Sequence, residues 1–197
     1  MLVLASGTAS AQDTTSLYAP APPPNSAFVR LINATATAAS GTIGSSAVTA
    51  AKAGVGTYQI IPQGAVSVHV GSVTQQVNVS AGKFYSLVWT GKTFRLMDDP
   101  NADNRAKALL VVYNLSSTPL IDLATADGKT RVLEGVAPMT SANRAVNGIT
   151  VDLAVFNQNK ALATFKKTQL ERGSAYAIVV TENGATLTQS STASMPK

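Results

Sequence analysis

Two segments of this chain each occur twice in similar form, and that repetition constrains the fold more than any other feature of the sequence. An apolar, β-branched run over residues 27–35 recurs loosely over residues 108–116, and each run reaches an Asn before small polar residues. Residues 82–90 recur as residues 173–181, with Gly, Tyr and Thr at matching places. Because both the beginning and the end of a module recur, we expect two copies of one fold. The repeats are 81 and 91 residues apart, which gives the second copy about ten additional residues.

The pattern inside each copy is that of β-strands. Val66, Val68 and Val70 alternate with Ser67 and His69, which is the two-residue period of a half-buried strand. No helical period of any length competes with it. Six or seven short strands in each copy predict an all-β fold: two tandem small antiparallel β-sandwich-like domains joined by a short acidic linker.

Turn residues mark the predicted hairpins. Thr90-Gly91-Lys92 separates strands over residues 84–89 and 93–97. Asp127-Gly128 predicts a type I′ turn between two strands of the second copy, and Asn183-Gly184 turns the last hairpin.

Changes of composition set the predicted boundaries. The chain begins with a short apolar run that is typical of the end of a secretory signal, although the basic segment of a complete signal is missing. A Pro-rich spacer follows, and no segment is long enough to span a membrane. The predicted divisions are a signal remnant (about 1–11) and leader to 26, an N-terminal domain over 27–99, a linker over 100–105, a C-terminal domain over 106–189, and a polar tail over 190–197.

Several functional classes are excluded by composition. The chain has no cysteine, which excludes disulfides, thiolate metal sites and cysteine nucleophiles. Its formal charge of +5 is scattered without a basic helix or arginine cluster, so we expect no nucleic-acid partner. The charge favours either an anionic polysaccharide or solubility alone.

No metal or cofactor is expected. Asp99, Asn101 and Asp103 alternate like the opening of a calcium loop. However, Asn104 and Leu110 stand where that loop requires Gly and a bidentate Glu. A linker is therefore the better interpretation.

No catalytic constellation is present either. His69 is the single imidazole and lies within a strand, and no serine has the surroundings of a nucleophile elbow. Nothing places two carboxylates together, as glycoside hydrolysis would require. Binding is thus favoured over turnover, and no catalytic residue is predicted.

Four residues are candidate contacts for a polysaccharide or a protein partner. Trp89 shares a strand face with other large apolar residues, so it is either core or a sugar-stacking platform. Arg30 stands where the second copy has Val111, and is either an outward solvated arginine or a polyanion contact. The predicted contacts are Arg30, Trp89, His69 and Arg95.

Several strings of the chain match a known family pattern. They are Leu17-Tyr18 before the Pro-rich run, residues 26–30, Asn33-Ala34 and, in the second copy, residues 108–116, 125–130 and 170–173. Together they resemble the AlgF family of alginate O-acetylation accessory proteins, over essentially the whole mature chain. The strings are structural, so they indicate kinship rather than chemistry.

The resemblance implies a periplasmic accessory protein of a Gram-negative exopolysaccharide system, with two β-sandwich-like domains and without known catalytic residues. It implies work beside a membrane acyltransferase system and periplasmic acetyltransferases, as an adaptor or as an acetyl-relay component. We therefore expect a non-catalytic adaptor that docks the acetyltransferases during O-acetylation of alginate. The alternatives are a pair of carbohydrate-binding modules that recognise an anionic polysaccharide, and an acetyl-relay enzyme.

Overall fold

The structure, a computed structural model, describes residues 22–190, so the predicted signal remnant, most of the leader and the tail from residue 191 lie outside the described range. None of residues 22–190 forms a helix long and apolar enough to cross a bilayer. The strands are β1 (Ser26–Asn33), β2 (Ala39–Ile43), β3 (Ser46–Ala50), β4 (Gly54–Val55), β5 (Gln59–Pro62), β6 (Gly64–Val70), β7 (Val73–Val79), β8 (Phe84–Trp89), β9 (Phe94–Asp99), β10 (Ala108–Asn114), β11 (Ile121–Thr125), β12 (Arg131–Val136), β13 (Thr140–Val146), β14 (Thr150–Asn157), β15 (Lys160–Gln169), β16 (Ala175–Thr181) and β17 (Gly184–Ser190).

These strands form four sheets, two in each half of the chain. In the first half, β4, β1, β8 and β9 lie side by side, with β5 also paired to β1 (sheet A), and β3, β2, β6 and β7 form sheet B. In the second half, β13, β10, β16 and β17 form sheet C, and β12, β11, β14 and β15 form sheet D. The two orders coincide when β10 is matched with β1 and β13 takes the place of β4 and β5. The predicted all-β fold of two tandem sandwich-like domains is confirmed.

Sheets B and D are antiparallel as predicted, whereas sheets A and C are mixed, which corrects the prediction in one respect. In sheet A the central strands β1 and β8 run parallel, and Arg30 faces Ser86 in their register. In sheet C the equivalent strands β10 and β16 are also parallel, with Val111 facing Ala177. The two repeated segments of the sequence form these neighbouring parallel strands. A parallel pair needs a crossover, and here sheets B and D supply it.

The four sheets stack in the order B, A, C and D. One apolar layer fills each sandwich, between sheets A and B and between sheets C and D. A third layer lies between sheets A and C, where Ile32 and Val88 pack with Val111, Tyr113 and Val179 of the second domain. Sheets A and C are therefore covered on both faces. This explains why β8, β10 and β16 are buried at every residue.

The Asn that ends each opening strand closes a buried turn. Asn33 is fully buried, and its Nδ2 donates to the carbonyl oxygens of Thr37 at 2.6 Å and Ala51 at 3.0 Å. Asn114 is equally buried, and its Nδ2 donates to the carbonyl oxygens of Thr118 and Val136, both at 3.0 Å. In each copy the Asn Oδ1 also accepts from the backbone N–H two residues later. The two copies thus use the same turn chemistry at the same place.

A tyrosine corner is repeated as well. The Tyr85 hydroxyl accepts the backbone N–H of Ser80 at 3.2 Å, and the Tyr176 hydroxyl accepts that of Glu171 at 2.9 Å. Each bond ties a strand of the inner sheet to the loop that precedes it. The duplication therefore extends to side-chain hydrogen bonds.

The Asp127-Gly128 hairpin exists, but its turn is not type I′. Gly128 has a φ of 71°, whereas Asp127 is not among the residues with positive φ. The Gly128 N–H donates to the Thr125 carbonyl oxygen at 2.8 Å, and Asp127 Oδ1 accepts from the Thr125 hydroxyl at 2.6 Å. This is a type I turn followed by a left-handed glycine, the arrangement of a longer hairpin loop.

Candidate functional site at the domain interface

Between the two domains lies the one buried ion pair of residues 22–190. Arg30 on β1 faces away from the core of its own domain, into the layer between sheets A and C, and is 1% exposed. Its Nε lies 3.5 Å from Oδ2 of Asp99, at the end of β9. Four further side chains complete the group, which we call the Arg30 cluster: Tyr58, Ser86, Tyr113 and Ser190.

Each nitrogen of the Arg30 guanidinium has an acceptor. Nε donates to Ser86 Oγ at 2.8 Å within the first domain. Nη2 donates to the Tyr113 hydroxyl at 2.7 Å, and Nη1 donates to Ser190 Oγ at 2.5 Å. Tyr113 and Ser190 belong to β10 and β17 of the second domain. Arg30 therefore joins the two domains through charge-assisted hydrogen bonds.

Asp99 is the matching acceptor. Its Oδ2 receives hydrogen bonds from the Tyr58 hydroxyl and from Ser86 Oγ, both at 2.5 Å. Its Oδ1 accepts from the Tyr113 hydroxyl, which crosses from the other domain. Ser86 and Tyr113 thus each accept from Arg30 and donate to Asp99. The cluster is electrically neutral, and its buried polar groups are paired, as a buried network requires.

Tyr58 reaches the cluster through a break in an edge strand. In the first domain the strand beside β1 is divided into β4 and β5, whereas β13 pairs with β10 along its whole length. Tyr58 lies in this break, and its ring centroid is 4.5 Å from the guanidinium carbon of Arg30. That distance is typical of a cation–π contact. The irregularity therefore covers the one charged side chain of β1.

Burial and charge shape the protonation of the cluster. Burial disfavours the charge of Arg30, but the attraction of Tyr113, Tyr58 and Asp99 outweighs it and raises the pKa of the guanidinium above its ordinary value. Burial raises the pKa of Tyr58 and that of Tyr113 above the range of a free phenol, against the opposing attraction of Arg30. Both phenols are therefore protonated donors at neutral pH.

The Arg30 cluster has residue types found in catalytic sites but lacks access for a substrate. The space that its side chains enclose is too tight to admit a water molecule. Ser86 has no imidazole beside it, because His69 lies on the outer face of sheet B. A shift of sheet C against sheet A would take the hydrogen bonds of Tyr113 and Ser190 away from the buried Arg30–Asp99 pair, which is costly. We infer that the cluster fixes one orientation of the two domains.

No metal-binding arrangement emerges from the described ranges. Residues 22–190 contain no group of three or more His, Asp or Glu side chains that could hold an ion. The Asp99 carboxylate, which begins the calcium-like pattern of the linker, is instead engaged by the hydroxyls of Tyr58, Ser86 and Tyr113.

Two of the four predicted contacts are buried in the structure and two are exposed. The expectation that Arg30 is solvated or contacts a polyanion is wrong, because the second domain covers that face of β1. Trp89 is 8% exposed and packs in the first domain's core, with its ring centroid 4.8 Å from that of Phe94, so it offers no sugar platform. His69 is exposed and its Nδ1 lies 3.0 Å from Thr74 Oγ1, and Arg95 is exposed on β9. The last two stay predicted contacts.

The sequence did not predict the partners of Arg30. Tyr58, Ser86, Asp99, Tyr113 and Ser190 come from separate segments, and no spacing rule connects them. One signal was available: a charged residue within the apolar run of β1, whose neighbours on both faces are apolar. In such a doubly buried strand, an arginine needs a buried acceptor.

Comparison with known proteins identifies the family. A sequence profile described as "Alginate O-acetyl transferase AlgF" matches residues 1–177. The chain belongs to the AlgF family. It is similar to the alginate biosynthesis protein AlgF of Pseudomonas putida, with 36% identity over 188 residues, or 94% of this chain and 87% of the relative. It is 34% identical to AlgF of Pseudomonas aeruginosa over 177 residues (89% and 82%), and 36% identical to AlgF of Azotobacter vinelandii over 176 residues (88% and 81%).

Two solved structures of AlgF domains from P. aeruginosa are also similar to parts of this chain. The C-terminal domain is 35% identical, with 43% of this chain and 96% of that chain covered and a TM-score of 0.38. The N-terminal domain is 28% identical, with 40% of this chain and 98% of that chain covered and a TM-score of 0.34.

Proposed function

We propose that this protein acts in the O-acetylation of alginate as a non-catalytic periplasmic adaptor that docks the periplasmic acetyltransferases. Membership of the AlgF family supports the pathway, since the family profile and the curated relatives carry alginate O-acetylation and alginate biosynthesis in their names. The adaptor role rests on the domain interface. The most elaborate polar site of the described chain is sealed between the domains and holds them together.

A fixed pair of sandwiches suits an adaptor. Sheets A and C are buried on both faces, one in the domain core and one at the interface. The outer faces of sheets B and D remain, and they point in opposite directions. A partner bound at one end is thereby held in a fixed relation to a partner bound at the other. Preorganisation of this kind lowers the entropic cost of assembling a larger complex.

The acetyl-relay alternative requires a nucleophile that a donor ester can reach. The exposed imidazole is that of His69, whose ring contacts Thr74 and has no carboxylate among its hydrogen-bond partners within the described residues. Ser86 has a carboxylate partner but is fully buried. The geometry therefore favours binding over acetyl transfer.

The test is binding of the mature chain to the purified periplasmic acetyltransferases of its own system, measured by biolayer interferometry. Polymannuronate is titrated alongside, and hydrolysis of an activated acetyl ester is measured with the same protein. We expect saturable acetyltransferase binding and no ester hydrolysis above buffer, and the His69→Ala variant should likewise hydrolyse no ester.

Two results would contradict this function. Tight binding of polymannuronate without capture of any acetyltransferase would favour the carbohydrate-binding alternative. Ester hydrolysis that disappears in His69→Ala would favour the acetyl relay.

A further inference from the structure

We propose that an open basic groove on the second domain, lined by Lys107, Arg131 and Arg144, binds an acidic, extended segment of a protein partner. The inference rests on the proposed adaptor function and names the surface that a partner would use. The groove has a volume of about 270 Å³ and is lined by Lys107, Thr130, Arg131, Val132, Arg144, Ala145, Val146 and Asn147.

The groove lies between two terminal strands. β12 is the last strand of sheet D and β13 is the last strand of sheet C. The chain crosses from one sheet to the other between them, so both edges lie on the same side of the sandwich. Within the described residues, neither edge has a strand partner on its outer side. Unpaired backbone groups of this kind accept an extended peptide.

Two of the three cations are held in place by neutral groups. Lys107 Nζ donates to Asn147 Oδ1 at 2.6 Å, and Arg144 Nη1 donates to the Val132 carbonyl oxygen at 3.0 Å. Neither cation forms an ion pair with a carboxylate of residues 22–190. Their charges are therefore positioned yet uncompensated, which favours an anionic ligand.

No acidic side chain of residues 22–190 lines the groove. Arg131 pairs with Asp122, whose Oδ1 also accepts the Gly135 N–H at 2.8 Å. Glu134 is the acidic residue of β12, and it does not line the groove. β13 contains no acidic residue. The carboxylates of a ligand would thus meet Lys107 and Arg144 without a competing anion in the lining.

The first domain serves as an internal comparison. The strands equivalent to β12 and β13 are β3, β4 and β5, and none of them contains a charged residue. The sandwich therefore forms without charged side chains in these strands, although Lys52 lies in the turn between β3 and β4. Arg131 and Arg144 of the second copy are thus not needed for folding, and a charged ligand accounts for them.

A protein segment fits the groove better than a polyuronate does. Sugar-binding surfaces stack pyranose rings on aromatic side chains, and the lining contains no aromatic residue. A regular polyanion also requires a long row of cations, whereas this groove provides three. Free strand edges add main-chain hydrogen bonds that a peptide can use and a polysaccharide cannot match in register.

The probe is a fluorescein-labelled peptide of alternating glutamate and threonine, followed by fluorescence anisotropy at about 20 mM salt, where surface charges are weakly screened. The groove variant is Lys107→Gln with Arg144→Gln. The matched control is Lys83→Gln with Lys92→Gln, which removes two exposed lysines of the first domain. We expect the control to bind like the unaltered protein and the groove variant to bind about fivefold to tenfold more weakly, as the loss of two solvent-exposed ion pairs predicts. A urea midpoint for each variant shows that it is folded.

Equal weakening in both variants, or no peptide binding by the unaltered protein, would overturn the proposal. So would loss of polymannuronate binding in the groove variant while its peptide binding is unchanged, because the occupant would then be the polysaccharide. The same variants are tested for acetyltransferase capture. If both capture it equally, the groove assignment is wrong and the adaptor stands. If the unaltered protein captures none, the adaptor is wrong, and the peptide measurement still decides the groove.

Discussion

Replacement of Arg30 by methionine tests whether the buried cluster holds the domains together. Methionine keeps much of the aliphatic length of the side chain but removes the charge and the three donated hydrogen bonds. Asp99 would keep its hydroxyl donors and lose its counter-charge. Removal of one partner of a buried pair generally costs about 3–5 kcal/mol, because the other charge is left uncompensated. Domains of this size are stable by only about 5–15 kcal/mol, so the loss should be large.

The double variant Arg30→Met with Asp99→Leu separates charge from packing. Apolar replacement of both members of a buried pair is often neutral or stabilising. We therefore expect the double variant to recover the part of the loss that comes from the uncompensated charge, while the hydroxyls of Tyr58 and Tyr113, left without their acceptor, keep it less stable than the unaltered protein. Arg95→Met is the matched control, since Arg95 is exposed on the same sheet and its loss should change stability by less than about 0.5 kcal/mol.

The assay is urea unfolding with two signals. Trp89 is the single tryptophan and is buried in the first domain, so its fluorescence reports on that domain, while far-UV circular dichroism reports on both. In the Arg30→Met variant the two transitions should separate, because the interface no longer couples the domains. A loss of unfolding free energy below about 1 kcal/mol, with coincident transitions, would refute the assigned role. An Asp99 carboxylate buried without its counter-charge should cost more than that.

Two further predictions concern residues that the fold buries. The raised pKa values of Tyr58 and Tyr113 mean that the folded protein retains phenolic protons which the unfolded chain releases above about pH 10, so stability should be complete below that pH and fall as the pH rises further. Urea midpoints should fall less steeply in Tyr58→Phe, and parallel curves for both proteins between about pH 9 and pH 11.5 would contradict this. Asn33→Ala and Asn114→Ala should each lose about 1–3 kcal/mol by urea unfolding, because each leaves buried carbonyl groups without a donor; a much larger loss in one copy would show that the two turns are not equivalent.

The repeated segments allowed the architecture to be predicted because they contain the local signals of a sandwich, which are its strands and its turns. The alternation in β6 and the turn residues of the hairpins have clear periods and fixed positions. The parallel pairing of β1 with β8 was missed because a strand's neighbours are chosen by the whole sheet and leave no local mark. The turn at Gly128 was assigned to the wrong type because the same dipeptide serves loops of different length.

The interface was missed for a different physical reason. Alternation shows which face of a strand is apolar, but it does not show what covers the second face when that face is also apolar. In β10 the outer face consists of Leu109, Val111 and Tyr113, and the second domain presents it to the first. An uninterrupted apolar run is what a strand covered on both sides requires, so the run in β10 indicated a partner without identifying it.

The two faces that meet are copies of one another, yet their polar residues are unequal. By the strand registers, Arg30 and Ser86 on the first face correspond to Val111 and Ala177 on the second. Asp99, paired with Phe84, corresponds to Ser190, paired with Ala175.

This inequality specifies which faces pair. Two copies of the first face would bury two ion pairs against each other without the acceptors that the second face contributes from Tyr113 and Ser190. The charged face is satisfied by its diverged copy, so the cluster favours the pairing of sheet A with sheet C over the pairing of two sheet A faces. The unequal polar residues of the two faces thus specify a fixed interface between sheets A and C, and the proposed adaptor role requires such a fixed arrangement of the two domains.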